Sequence, residues 1–228
     1  MTGYTPLPLP HRQDLSDAEA LAEAEAFLAL MRQRHTVRDY TTRPVPEQVI
    51  ATCIATAGTA PSGANQQPWH FAAVADPAMK ARIRKAAEAE EEKFYDGGGG
   101  KEWLSALEPI GTGAHKPHLT DAPWLIVIFA QRWGVGPDGR KQKHYYVPES
   151  VGIATGLLIT ALHKSGLVSL THTPNPMKFL NALCGRPDNE KPVMILAVGH
   201  ADQDATVPAA AKVKKPLTEI ASFFRGQD

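Results

Sequence analysis

The chain has 228 residues, with 24 Lys and Arg balanced by 24 Asp and Glu. That length suits one domain with a substantial core, and the balanced charge removes any general electrostatic reason to expect nucleic acid or an anionic membrane as partner. Cys53 and Cys184 are too few for a thiolate-rich zinc site or a disulfide scaffold; residues 1–13 lack a basic segment leading into an apolar one, and the longest strongly apolar run, Trp124 to Ala130, is too short to cross a bilayer. A soluble cytoplasmic protein with a small-molecule partner is expected.

Ser16 is suited to cap a helix running from Asp17 to Arg34, with Leu21, Phe27, Leu28 and Met31 as its apolar face. At its end, Arg34-His35-Thr36-Val37-Arg38 places two guanidinium groups four residues apart with a hydroxyl between them. Arginine offers a planar fork of donors that matches phosphate oxygens, so the segment is able to hold a phosphate. It is equally what a solvated helix end looks like, its basic residues favoured by the helix dipole.

A second helix starts at Pro46 and buries Val49, Ile50, Cys53, Ile54 and Ala57. It delivers the connection Pro61-Ser62-Gly63-Ala64-Asn65-Gln66-Gln67-Pro68-Trp69, in which Gly63 permits a close backbone approach. Small hydroxyls, amides and one large ring suit a flat polar ligand, although such a composition is by default just a loop. A strand follows over Phe71 to Ala75. Asp76 then caps a charged helix beginning at Pro77 that the four glycines, Gly97 to Gly100, should break. From there to Asp121 a weak apolar pattern with a short helix near Trp103 to Leu107 has the character of a mobile lid.

Trp124 to Ala130 is apolar and rich in β-branched residues, as in a strand buried on both faces. Gly134, Gly136 and Pro137-Asp138-Gly139 read as a surface turn. Val151 to Lys164 is apolar around most of its circumference and should be a central helix ending at Gly166. Leu167 to Thr173 and Val193 to Val198 read as strands, with a short helix over Asn175 to Leu183 between them. Thr171, His172 and Thr173 end a strand before Pro174, where side chains leave the sheet, but threonine there is first of all a β-former. Glu91 and Tyr95 share a helix face. His144-Tyr145-Tyr146 lacks the spacing and the carboxylates of a metal site and reads as packing at a sheet edge or between subunits.

Several of these segments, in one order over nearly the whole chain, resemble the iodotyrosine deiodinase branch of the nitroreductase-like flavoproteins: Arg34 to Arg38, Thr59 to Ala64, Pro68-Trp69, Glu91 with Tyr95, His144 to Tyr146, Gly166 to Val168 and Lys215-Pro216-Leu217. The resemblance implies an α+β, nitroreductase-like fold: a central mixed β-sheet flanked by helices, in a domain-exchanged homodimer with FMN at the interface. It implies an N-terminal extension over 1–15 and one FMN-binding domain over 16–228. Within that domain lie a lid about 88–120 and a C-terminal arm about 205–228 that wraps over the second subunit.

The same resemblance assigns FMN to Arg34, His35, Thr36, Arg38, Pro61, Ser62, Thr171, His172, Thr173 and Lys214. The Thr173 hydroxyl would bond near the flavin N5 and so be catalytic. Substrate would meet backbone near Ala64 and the side chains of Glu91, Tyr95 and Lys116, which bind the ammonium and carboxylate of a halotyrosine. His172 stands where the family commonly has threonine, and Lys214 where it commonly has arginine. The implied activity is FMN-dependent removal of iodide, bromide or chloride from halotyrosines, with electrons supplied by a separate donor or reductase and no metal. Two other readings share parts of this site: an NAD(P)H-dependent nitroreductase or quinone reductase, which needs no zwitterion clamp, and a noncatalytic FMN or halophenol binding protein.

Overall fold

A computed structural model describes residues 3–11 and 13–226; residues 1, 2, 12, 227 and 228, which belong to the expected N-terminal extension and C-terminal arm, lie outside the described residues. The chain divides into two compact units, Met1–Arg34 and His35–Asp228. The first contains α1 (Asp17–Arg32), which opens on a capping box: the Ser16 side chain accepts from the Glu19 backbone N–H and the Glu19 carboxylate accepts from that of Ser16. No residue of α1 is buried, and Leu21, Phe27 and Leu28 of its expected apolar face stand exposed.

The second unit begins with α2 (Glu47–Gly58), β1 (Trp69–Val74), α3 (Pro77–Lys93), α4 (Gly100–Leu107), α5 (His118–Asp121) and β2 (Trp124–Gln131). A small hairpin of β3 (Trp133–Val135) and β4 (Lys141–Lys143) leads to α6 (Val147–Lys164), β5 (Val168–His172), α7 (Phe179–Leu183) and β6 (Glu190–Gly199), and the chain closes with α8 (Ala209–Lys212) and α9 (Leu217–Ile220). The main sheet has the order β1-β2-β6-β5. All its neighbours pair antiparallel, so among the described residues the expected mixed character is confined to a parallel bridge between Thr36 and Ser169 at the outer edge of β5. The register of β2 on β6 shifts at Ile128/Phe129, next to Pro192, which has no N–H to give the ladder.

β2 is buried on both faces, as its composition requires. Leu125, Val127 and Phe129 pack with Ile195, Ala197, Ile83 and Leu180 on one side. Ile126, Ile128 and Ala130 pack with Leu196, Val198, Ile50, Leu158 and Leu162 on the other. Helices α3, α5 and α7 therefore cover one face and α2 and α6 the other, which leaves the end of β5 and the end of α3 free to converge on a cavity.

Two local readings need correction. The four glycines do not end helical structure outright. A five-residue π turn over Phe94–Gly98 follows α3, and α4 already starts at Gly100; the direction changes at Asp96 and at Gly97, whose φ of 114° is open only to glycine at low cost. The helix expected from Asn175 is shorter and starts at Phe179, because Pro176 cannot donate to a helical turn. α6 conversely begins at Val147, just after Tyr146 takes a left-handed conformation.

Candidate functional site

A cavity of about 500 Å³ lies between the end of β5, the end of α3, the segment after it, and the chain from Pro208 to Lys214. Thr36, Arg38, Thr171, His172, Thr173 and Lys214 line it together with Glu91, Tyr95 and Lys116. Tyr40 holds the Thr36–Arg38 wall in place: its buried hydroxyl sits 3.0 Å from the carbonyl oxygens of both Val37 and Ala197. Lys214 donates from its ammonium to the Ala211 carbonyl, 2.9 Å away.

The buried Lys116 forms an ion pair with the partly buried Glu91, with Nζ 2.9 Å from Oε2. The same ammonium donates to Thr112 Oγ1 at 3.3 Å and lies 5.5 Å from the centre of the Tyr95 ring. The geometry follows from two elements: α3 carries Glu91 and Tyr95 on one face four residues apart, and Glu88, one turn earlier, accepts the Lys116 backbone N–H at 2.7 Å and so fixes the incoming lysine. Burial alone would raise the Glu88 carboxyl. Its bonds from the Lys116 N–H and Arg84, with the charges of Arg84 and His115, hold it below the ordinary range. Phe94 packs edge-on against Tyr95 and Trp103, giving the cavity an apolar side.

His172 and His118 stack edge to face with centroids 5.6 Å apart, and both Nε2 atoms are buried without a hydrogen-bond partner. Burial, with the charges of Lys116 and His118, pushes His172 down to about 3. Burial and the charges of Lys116, Arg38 and Arg84, partly offset by Glu88, push His118 down to about 4. Both rings are therefore neutral at neutral pH.

Other expected site residues lie elsewhere. Pro61, Ser62 and Ala64 do not line the cavity. Their loop folds against Tyr145: Gln66 accepts from the Tyr145 N–H, Ser62 Oγ accepts from Gln67 N–H, and a Cβ at Gly63 would stand 2.6 Å from the Tyr145 carbonyl oxygen. Ala64, Asn65 and Gln67 all hold positive φ near 50°, a concentration of backbone strain in one short loop. His35 is half-buried and does not line the cavity. Arg34 closes the N-terminal unit, its N–H bonded to the Met31 carbonyl. His144 sets Nδ1 2.8 Å from the Gln131 carbonyl oxygen, while Tyr145 and Tyr146 are exposed. Glu88, Thr112 and His118 escaped sequence reasoning because only the folded chain brings them to Lys116 and His172.

The donor set tests what the cavity suits. Arg38 and Lys214 supply positive charge, and Thr36, Thr171 and Thr173 supply hydroxyls, on walls that also present aromatic surface. An anionic ring system with a phosphate, such as FMN, fits that set. Among the described residues no cluster of His, Cys, Asp or Glu is placed to hold a metal ion.

Residues 31–200 match the nitroreductase family. The chain is 50% identical over 202 residues to an iodotyrosine deiodinase of Haliscomenobacter hydrossis, covering 89% of this chain and 91% of that protein. To an iodotyrosine deiodinase of Daphnia pulex it is 44% identical, covering 92% of this chain and 70% of that one. Its fold is similar to a crystal structure of oxidized iodotyrosine deiodinase bound to FMN and 3-iodo-L-tyrosine: TM-score 0.71, 30% identity, and coverage of 88% of this chain and 100% of that one. The chain therefore belongs to the nitroreductase family and, within it, to the iodotyrosine deiodinase branch.

Proposed function

We propose that this protein is an FMN-dependent reductive dehalogenase of halotyrosines. The observation that carries the reading is the Glu91–Lys116 pair beside Tyr95, on the same cavity as Arg38 and the Thr171–Thr173 strand end. A halotyrosine brings one ammonium and one carboxylate. Glu91 takes the ammonium and Lys116 the carboxylate, so the ligand exchanges one ion pair for two charge-assisted contacts. Phe94 and Trp103 turn apolar surface toward the ligand and exclude water as the lid over 88–120 closes.

Replacing the carbon–halogen bond by carbon–hydrogen takes two electrons and one proton and releases halide. Bound FMN supplies the electrons, which a separate donor or reductase restores. Arg38, Thr36 and Lys214 would hold the cofactor, and the Thr173 hydroxyl on the same cavity would meet its reactive edge. In this reading Pro61, Ser62 and Ala64 serve the cavity of a second copy, which makes the molecule a homodimer with FMN between subunits. That they do not line the cavity of their own chain supports that arrangement. So do the exposed Leu21, Phe27 and Leu28 of α1 and the exposed Phe223 and Phe224 of the C-terminal arm. Among the described residues no helix is long and apolar enough to cross a membrane. The free thiols of Cys53 and Cys184 fit the reducing cytoplasm.

Titration of the FMN-loaded protein with 3-iodotyrosine and with 2-iodophenol, which keeps the ring but lacks both charges, tests this reading. The amino acid should bind at least about tenfold more tightly. Equal affinity for the two ligands contradicts the clamp and favours a general nitroreductase.

A further inference from the structure

We propose that His172 is a positioning residue for the substrate clamp, the donor that takes hold of Glu91 when Lys116 turns to the ligand carboxylate. The inference rests on the halotyrosine reading and goes beyond it. His172 ends β5 with its side chain buried, and its Nε2 lies 3.9 Å from Glu91 Oε1, just beyond hydrogen-bond range. The other carboxylate oxygen of Glu91 is engaged by Lys116 at 2.9 Å. Glu91 thus stands between two partners and is closed on one of them.

Buried polar atoms nearly always have a partner, so an unpaired imidazole nitrogen beside a carboxylate asks for an explanation. A zwitterionic ligand provides one. Once its carboxylate draws Lys116 away, Glu91 would be left in a partly buried place with only the ligand ammonium to balance it. A small rotation brings Oε1 within reach of an Nε2–H. A neutral donor suits this role because it orients the carboxylate without competing for its charge, and burial keeps His172 neutral. His118 stacks on the ring and limits its turning away. It also follows Lys116 by two residues, so one segment carries both the lysine that leaves and the ring that braces the replacement.

The test compares 3-iodotyrosine with 3-iodotyramine, which lacks the carboxylate and leaves Lys116 on Glu91. In FMN-loaded protein, His172→Leu should weaken 3-iodotyrosine about tenfold and leave 3-iodotyramine within about twofold of wild type. His172→Gln, whose amide nitrogen reaches the place of Nε2, should recover most of the loss. In the wild type, the His172 Nε2 resonance in nitrogen-15 spectra should move on adding 3-iodotyrosine and stay in place with 3-iodotyramine. A leucine variant that binds 3-iodotyrosine normally, an equal loss for both ligands, or a fixed Nε2 resonance overturns the assignment alone. Wild-type protein that fails to bind 3-iodotyrosine overturns it together with the halotyrosine reading.

Discussion

Lys116 is the residue at which three independent contacts meet: the Glu91 carboxylate, the Thr112 hydroxyl and, through its backbone, Glu88. A surface pair of this kind would matter little, but Lys116 is buried and the Glu91 side chain is only 13% exposed, so removing one leaves the other poorly solvated. Glu91→Gln and Lys116→Ala should each lower kcat/KM for 3-iodotyrosine at least about tenfold, since a charged hydrogen bond contributes about 1.5 to 3 kcal/mol. Turnover of a nitroaromatic, which offers neither charge, should survive both changes. Steady-state kinetics on the two substrates checks this, and equal loss on both would remove the clamp from the account. Glu91, Tyr95 and Lys116 were legible as a group from the sequence only by resemblance. Spacing alone put Glu91 and Tyr95 on one face, whereas the meeting of Lys116 with them depends on the path of the chain between 96 and 116, which no local pattern encodes.

At the scale of elements, local chemistry foretold most of the fold. Ser16 and Asp76 cap α1 and α3 with the bonds their side chains suggested, and the two-faced composition of β2 matches a strand covered by helices on both sides. What local chemistry left open was pairing: the antiparallel order β1-β2-β6-β5 and the parallel bridge of Thr36 to Ser169 depend on contacts far apart in sequence. The π turn after α3 was likewise hidden, because four glycines read as a break when only Gly97 and Gly100 of the four take a positive φ. Gly98 offers a test of the turn. A Cβ there would stand 2.7 Å from the Lys93 carbonyl oxygen, which cannot move without disturbing the end of α3. Gly98→Ala should therefore weaken 3-iodotyrosine binding several-fold and speed proteolysis within 94–107, while FMN binding and melting temperature change little. Unaltered ligand affinity would separate the turn from the site.

For the molecule as a whole, the buried imidazoles of His118 and His172 tie stability to pH. Each ionises near 6.5 in the unfolded chain, against about 4 and about 3 when folded. The unfolded state therefore binds more protons between those values. Stability from this source is whole above about pH 6.5, declines as pH falls below it, and levels off once the folded rings also protonate. The melting temperature should be lower at about pH 5 than at about pH 7.5, and His172→Leu should narrow the difference. A difference that the substitution leaves unchanged would assign the acid sensitivity to other groups.

The central claim, that this cavity and its FMN remove halogen from a tyrosine ring, meets its most direct test in one anaerobic reaction. FMN-loaded protein reduced with dithionite and mixed with 3-iodotyrosine should yield tyrosine and iodide in equal amounts, one of each per reduced flavin, as the flavin returns to its oxidised spectrum. Flavin that stays reduced, with 3-iodotyrosine recovered intact while a nitroaromatic is consumed, would contradict it.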